Sequence, residues 1–381
     1  MRVAFVTTYD ARTPRHWSGT PYAMWHAIEG DGVEVDLVGP LEDRLARVWR
    51  TKSSLYRSIR HERYEPERQP WVQRDYARQV RARLERGEHD VVLSPGSIPI
   101  ARLRTRAPVV FWTDATFAAM VGFNPAFRGL AAETIRDGNA GEQAALDTSA
   151  LALYASDWAA DSARSRYRVD AAKVRVVPFG ANLPAEPDPG RVARAIEGRP
   201  DGRCDLVFVA VEWENKDGAT AVATVAELIR RGIPATLTVV GVQPPPGLPA
   251  FVEYAGFLDK RDPAQVARYE SLLARSHLLL VPSRAEAFGI VYAEASAYGV
   301  PSLARRVGGV PTAVRDGVNG RLLAPDADAT AFADIAEELA LDPASYRALA
   351  RSSFEEYRTR LNWAVAGRTV RELLQGLVAR G

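Results

Sequence analysis

Pro282-Ser-Arg-Ala-Glu286-Ala-Phe-Gly289-Ile-Val-Tyr-Ala-Glu294-Ala-Ser-Ala-Tyr-Gly299-Val-Pro301 is the stretch from which the fold is read. It directly follows Leu278 to Val281, a short apolar run of the kind that forms a buried strand, and its own pattern predicts a helix opening near Ile290. A loop between strand and helix lies beyond the strand's carboxyl end, which is where open α/β sheets bind ligands. Backbone N–H groups from Gly289 to Val291 would meet an anion favourably there. Glu286 stands in the loop and Glu294 one turn into the helix, so two carboxylates can flank one pocket and accept hydrogen bonds from a hydroxyl-rich ligand. Glu294 also has a plainer reading, as a helix-face residue held in an ion pair.

Outward from this stretch the same alternation repeats. Strands are predicted at Val3 to Thr7, Val33 to Val38, Val91 to Leu93, Val109 to Trp112, Leu151 to Tyr154 and Val174 to Val177, and helical patterns separate them. From Asn182 to Arg203 the chain carries Pro184, Pro187, Pro189 and Pro200 with several glycines, the composition of a linker or domain edge. A second series follows, with strands at Leu206 to Val211, Ala235 to Val240, Val252 to Tyr254, Leu278 to Val281 and Ser302 to Ala304, and helices at Gly218 to Arg231 and Asp262 to Ala274. Two successive α/β units result. Phe354 to Arg380 is predicted helical from the spacing of Leu361, Val365, Val370, Leu373, Leu374 and Leu377. This terminal helix either pads its own domain or crosses back to the first.

A chain of 381 residues is long enough for two cores. Hydrophobic content of 47% and charged content of 25% are those of a globular protein, so neither disorder nor a fibrous repeat is expected. With 49 Lys and Arg against 47 Asp and Glu, the net charge of +2 implies no nucleic-acid partner. The arginine-rich segment Arg44 to Arg86 reads as solvated helix faces or, second, as a patch for an anionic ligand or membrane surface, so membrane association is possible without being indicated. Cys204 is the single cysteine, which excludes an intrachain disulfide or a cysteine metal cluster. No apolar run approaches the roughly 20 residues that span a bilayer, and the first residues lead straight into a strand pattern, so a cytoplasmic protein is expected.

The two glutamates separated by seven residues, with Phe-Gly after the first and Ala-x-Ala-x-Gly-x-Pro after the second, resemble the signature of family 4 glycosyltransferases. Gly308-Gly-Val-Pro311 through Asp316-Gly317-Val-Asn319-Gly320-Arg-Leu-Leu323 is similar to that family's next block. Gly256-Phe-Leu-Asp259 resembles its base-framing loop, and Ser156-Asp-Trp158 through Lys173 to Asn182 resembles the end of its first domain. The likeness is strong from about Leu151 to Leu323 and fainter before it. It implies a GT-B fold, α/β with two Rossmann-like domains facing a cleft. The expected division is 1–183 for the acceptor, joined by a crossing helix over 360–381, and 184–359 for the nucleotide sugar.

What the resemblance implies for the site is specific. Glu286 would bond hydroxyls of the transferred sugar and Glu294 the ribose hydroxyls, with Phe257 and Leu258 at the base. Phe288, Gly289, Ile290 and Val291 would form the phosphate-facing turn, and Lys216 would lie on the diphosphate, where a flexible ammonium suits growing negative charge. One departure stands out: the family's arginine five residues before that lysine is Val211 here. Arg12, Arg15 and Arg305 are candidate replacements. In the N-terminal half, Ser18-Gly19-Thr20 resembles the family's glycine-containing loop, whose backbone approaches donor phosphate and acceptor. Asp114 stands near the place of a histidine found in many relatives and is the candidate for contacting sugar or acceptor. Its competing role is the N-cap of the following helix. Ser94 ends another strand and either lines the acceptor pocket or starts a helix. His16 and His26 read as packing or capping residues.

The implied activity is hexosyltransferase-type, moving sugar from a nucleotide-diphosphate sugar to a hydroxyl of a small molecule or glycan with retention at the anomeric carbon. No cofactor is expected, since the nucleotide sugar is a substrate. Asp326-Ala-Asp328 has the spacing of a metal-binding pair but lies in what the family uses as a loop after the donor site, and no His/Cys cluster suggests a ligand set, so metal independence is expected. Two other readings stay open: a GT-B epimerase or hydrolase acting without a separate acceptor, and a catalytically silent binding subunit.

Overall fold

The computed structural model describes residues 1–44 and 46–380 and divides into two compact units, Met1–Pro178 with Trp363–Gly381, and Phe179–Asn362. The first unit is built on a parallel sheet of β1 (Arg2–Val6), β2 (Glu34–Val38), β3 (Val91–Ser94), β4 (Val109–Thr113), β5 (Leu151–Tyr154) and β6 (Val174–Val176), in the order β2-β1-β3-β4-β5-β6. Strands β3, β4 and β5 are buried at every position, which is why they read as continuous apolar runs instead of alternating ones. Strand order reverses between β1 and β3, so the loops after these strands open a crevice at the sheet's carboxyl edge.

The second unit repeats the plan with β7 (Cys204–Ala210), β8 (Ala235–Gly241), β9 (Val252–Gly256), β10 (Leu278–Leu280), β11 (Ser302–Arg305) and β12 (Gly320–Leu323), in the order β12-β11-β10-β7-β8-β9. Here the reversal lies between β7 and β10, paired in parallel with Leu278 beside Leu206 and Leu279 beside Val207. Strand β12 was not expected from the sequence, because Gly320-Arg-Leu-Leu323 is short and half polar. It forms where a Cβ at residue 320 would lie 2.1 Å from the Ser302 carbonyl oxygen, so only glycine lets the edge strand approach β11.

Three boundaries depart from expectation. The division falls after Pro178, not after residue 183: the Trp112 indole binds the Val177 carbonyl at 2.9 Å, whereas Phe179 packs edge-to-face on Phe288 at 5.4 Å and Ala181 N–H donates to Leu361. The proline-rich segment 182–203 contains the helix Pro189–Gly198, started by Asp188, whose carboxylate accepts from Arg191 N–H at 2.7 Å, and anchored by buried Val192 and Ile196. Proline at the first helical position is a start signal as well as a linker signal. Finally, the predicted helix Phe354 to Arg380 is two helices, Pro343–Thr359 and Trp363–Val378, broken at Arg360 to Asn362.

The last helix belongs to the first unit. It packs on helix Thr20–Ile28, and the contact is so close that a Cβ on Gly367 would lie 2.1 Å from the Ala27 carbonyl oxygen. Arg371 donates to that same carbonyl at 2.5 Å and to Asp31 at 2.7 Å, and the Trp363 ring meets Trp112 edge-on at 5.6 Å.

Candidate active site

In the second unit two loops leave the reversal point, Val211 to Asp217 after β7 and Val281 to Gly289 after β10. They are tied together by backbone and amide contacts: Arg284 N–H donates to the Asn215 carbonyl at 2.9 Å, and the Asn215 amide donates to the Ala285 carbonyl at 3.1 Å. This tie sets Lys216 against Glu286. Their ammonium and carboxylate form an ion pair, with side chains 16% and 12% exposed, and the Ser283 hydroxyl donates to the same Glu286 oxygen at 3.3 Å.

Asp217 anchors the turn. It adopts a left-handed backbone at φ 55° to begin helix Gly218–Arg230, and its buried carboxylate accepts from Arg305 at 2.7 Å, Thr220 at 2.8 Å and Arg284 at 3.2 Å. Burial pushes this carboxyl up, but the hydrogen bonds from Arg284, Arg305 and Thr220 outweigh it and hold the group below the usual carboxylate range. Arg305 was a candidate for the missing phosphate cation. It is instead a buried bracket, also bonded to the carbonyls of Pro282 and Ala327, and no part of it is left to reach a ligand. Arg284 is the opposite: its side chain is 68% exposed and only one edge is held. Val211 is 71% exposed at the mouth of the same loops.

The turn into helix Ile290–Ser296 requires glycine. Gly289 sits at φ 87°, and a Cβ there would lie 2.4 Å from the Tyr292 ring. The first N–H groups of that helix, Ile290 and Val291 among them, lack intrahelical partners by construction. Phe288 is buried under the turn and supports it. Glu294, 3% exposed, has both oxygens engaged: Lys260 pairs with one, and the Tyr269 hydroxyl donates to the other at 2.6 Å. Burial, reinforced by the Glu294 charge, pushes the Tyr269 phenol well above its usual range, so it stays a donor. Phe257 is 68% exposed beside the half-buried Leu258 and offers a flat apolar face.

The first unit has its own strained loop. Trp17, Ser18 and Gly19 occupy the left-handed region in succession, at φ 49°, 53° and 85°. Left-handed backbone on two non-glycine residues in a row marks a loop that its surroundings over-determine. The Trp17 indole donates to Asp114 at 3.3 Å. Burial, with the charges of Asp114 and Glu67, raises the nearby Tyr9 phenol above its ordinary range. Asp114 is not the cap of the following helix: Thr116 is, accepting from Ala119 N–H at 3.2 Å. Ser94 and Thr20 are fully buried. The Ser94 hydroxyl closes its own turn on the Gly96 carbonyl at 2.7 Å, so it shapes this loop instead of lining a pocket. Asp328 caps helix Ala329–Leu341 through Ala331 N–H at 3.0 Å. Among the described residues no group of three or more His, Cys, Asp or Glu is placed to hold a metal, and no helix is long and apolar enough to cross a membrane.

Residues 22–184 match the model described as Glycosyltransferase Family 4, and residues 203–342 the model described as Glycosyl transferases group 1. The D-inositol 3-phosphate glycosyltransferase of Actinosynnema mirum is 32% identical, over 71% of this chain and 68% of that protein. The chain belongs to glycosyltransferase family 4. The same-named protein of Segniliparus rotundus is 34% identical over 52% of this chain and 45% of its own length, so there the likeness spans under half of the relative. Among solved structures, sucrose-phosphate synthase from Thermosynechococcus elongatus has a TM-score of 0.68 at 17% identity, covering 100% of both chains. HepE of Anabaena, in complex with UDP, has a TM-score of 0.68 at 17% identity, covering 99% of this chain and 100% of that one. These likenesses establish the GT-B fold: two parallel-sheet units of the Rossmann kind.

In this family 4 glycosyltransferase, the loops that the sequence singled out are held together by two residues that the sequence reading passed over. Asp217 and Arg284 had no signal beyond adjacency to Lys216 and Glu286; a charged pair on two segments that the family motif already brings together would have been the clue.

Proposed function

We propose that this family 4 glycosyltransferase is a retaining, metal-independent enzyme that moves a hexosyl group from a nucleoside diphosphate sugar to a hydroxyl acceptor. The observation that carries the reading is the Lys216–Glu286 pair, a cation and a carboxylate held together at the reversal point where α/β sheets take ligands. In this reading Lys216 turns to the diphosphate and Glu286 to the sugar hydroxyls when donor binds. Arg284 adds a second mobile positive charge beside them, which supports charge compensation without a divalent cation. Glu294 reaches the ribose and Phe257 the base. The first-unit loop at Gly19 and the Trp17-held Asp114 serve the acceptor side.

The way the carboxylates are held supports the retaining course. Glu286 and Glu294 are each held by a lysine, which suits hydroxyl recognition better than attack on carbon. The acceptor oxygen then attacks on the face from which the diphosphate leaves, and the departing phosphate oxygen takes its proton. The protein's contribution is positioning and stabilisation of phosphate charge.

HepE was solved with UDP and with UDP-glucose, so uridine sugars head the donor set to be screened. The test is release of nucleoside diphosphate with and without candidate acceptors, with the anomeric configuration of the product read by NMR and the assay repeated in EDTA. Acceptor-dependent release with retained configuration and full activity in EDTA supports the reading. Release without acceptor indicates a hydrolase, binding without turnover a silent subunit, which the exposed Val211 favours, and loss in EDTA restored by Mg²⁺ a metal-dependent enzyme.

A further inference from the structure

The second unit holds a polar cavity of about 310 Å³ between helix Pro263–Arg275 and the last two strands of its sheet, β8 and β9. That volume is within the range of small-molecule sites, about 300–1,000 Å³. Arg268, Ser271, Leu272 and Arg275 line it on the helix side, and Thr238 and Glu253 on the sheet side. The four helical residues have the i, i+3, i+4, i+7 spacing of one helix face, the stripe that a helix normally buries against its sheet. Here only Leu272 is buried, and the other three are exposed. The helix packs on helix Pro189–Gly198 and on β7, and a stripe this polar does not close on the edge of the sheet.

Thr238 is in parallel register with Glu253, so both side chains stand on the face of the sheet that borders the cavity. Thr238 is 6% exposed, and its hydroxyl has no hydrogen-bond partner among the described residues. A polar group buried to that extent normally finds a partner, and a molecule in the cavity supplies one. Arg268 likewise has no carboxylate or carbonyl partner among the described residues, although a guanidinium carries five N–H donors. Arg275 meets Glu253 at 3.4 Å, an exposed pair of the kind that contributes little and is readily exchanged. Two guanidinium groups against one carboxylate leave the cavity with an excess of positive charge. It is separate from the donor loops: Glu253 stands near the start of β9 and Phe257 beyond its end, so the cavity lies toward the amino edge of the sheet and the donor loops at the carboxyl edge.

We propose that this cavity is a second ligand site, for a small molecule bearing a carboxylate or phosphate group that Arg268 grips and to which the Thr238 hydroxyl donates. The planar guanidinium fork takes two oxygens of such an anion bidentately. The hydroxyl of Thr238 gains the acceptor it lacks, and the weak rim pair lets Arg275 turn from Glu253 to the same anion. The site stands apart from the glycosyl-transfer reading, since it shares no residue with the loops assigned to donor and acceptor.

The test is calorimetric titration of the full chain with inorganic phosphate, glycerol 3-phosphate, malate and, as the neutral control, glycerol. Titrations are run on the wild type and on Lys216→Ala, whose donor loops have lost their ammonium, so that an anion held there is told apart. Both proteins should bind at least one of the three anions about tenfold more tightly than glycerol, with an affinity that falls as salt rises. The phosphate and malate arms show which anion is preferred. In the Lys216→Ala background, Arg268→Gln should weaken that anion about tenfold, and Arg268→Lys, which keeps the charge without the fork, should weaken it less. Thr238→Val, which keeps the shape without the hydroxyl, should weaken it several-fold. Arg268 is exposed, so Arg268→Gln should keep the parent Tm, which certifies that it is folded. Anions bound no better than glycerol overturn the proposal. So does anion binding that Lys216→Ala alone abolishes, which assigns it to the donor loops, and so does an affinity that survives Arg268→Gln or Thr238→Val, because the anion then sits elsewhere.

Discussion

Lys216 and Glu286, from loops that leave neighbouring strands β7 and β10, are joined in an ion pair. In the proposed reading, donor binding exchanges this ion pair for two new contacts, phosphate on the ammonium and sugar hydroxyl on the carboxylate. Lys216→Ala should therefore weaken nucleoside diphosphate binding by about 1.5–3 kcal/mol, roughly 10- to 100-fold in Kd. Glu286→Ala should leave nucleoside diphosphate affinity within a few-fold while lowering kcat for the nucleotide sugar much more. Calorimetry with nucleotide and steady-state kinetics with donor read the two effects separately, and a Glu286→Ala enzyme with wild-type kcat would contradict the assignment.

The Glu294 carboxylate is shared between Lys260 and the Tyr269 hydroxyl, so in the proposed reading a ribose competes with Lys260 for it. Glu294→Ala should act twice. It should weaken nucleotide binding but leave inorganic pyrophosphate, which has no ribose, unaffected. It should also lower Tm, since Tyr269 and Lys260 lose a buried partner worth about 1–3 kcal/mol, at roughly 2–4 °C per kcal/mol for a unit of this size. Equal loss of nucleotide and pyrophosphate would mean that Glu294 merely holds the fold.

Arg284 and Val211 make a complementary pair of tests. Arg284 is exposed and anchored by one edge to Asp217, which is buried and held ionised, so its guanidinium is positioned yet available. Arg284→Ala should weaken nucleoside diphosphate binding by up to about tenfold, less at high salt because the contact is partly screened. Val211 is 71% exposed, so Val211→Arg carries little packing cost. It should tighten nucleoside diphosphate binding several-fold if this position still faces phosphate. Calorimetry at two ionic strengths checks both, and no change in either variant would remove these positions from the phosphate site.

The two-unit plan was legible because buried parallel strands print themselves as short apolar runs, and the loop carrying Glu286, Gly289 and Glu294 stood out because these residues recur in a known pattern. What stayed hidden follows from long-range contact. The close approach of Gly367 to Ala27 joins residues at opposite ends of the chain, and Gly320 reads as a turn until Ser302 is placed beside it. Helix Pro189–Gly198 was masked because proline and aspartate signal both helix starts and linkers. Ser94 was considered for a pocket by its position after a strand, but position does not say which way a small polar side chain turns.

His277 offers a test of stability that is independent of the ligand sites. It is 4% exposed at the start of β10; its Nδ1 accepts from Asp205 N–H at 3.1 Å, and its Nε2 lies 2.9 Å from the Pro200 carbonyl, an arrangement that fits a neutral ring with its proton on Nε2. Burial lowers its pKa, helped by the charges of Arg199 and Arg203 and opposed by the Pro200 carbonyl and Asp205. The unfolded chain, with a His pKa of about 6.5, therefore binds the proton more readily than the native state. The stabilisation is present above that value and is lost as pH falls through it toward the lower native value. Tm should thus fall between pH 7 and pH 5. His277→Gln, which cannot be protonated, should be less stable at pH 7, because Asp205 N–H and the Pro200 carbonyl lose matched partners, yet should show a shallower fall with acid. Scanning calorimetry of both proteins across this range decides it: parallel curves would mean that His277 does not titrate on unfolding and that the acid sensitivity lies elsewhere.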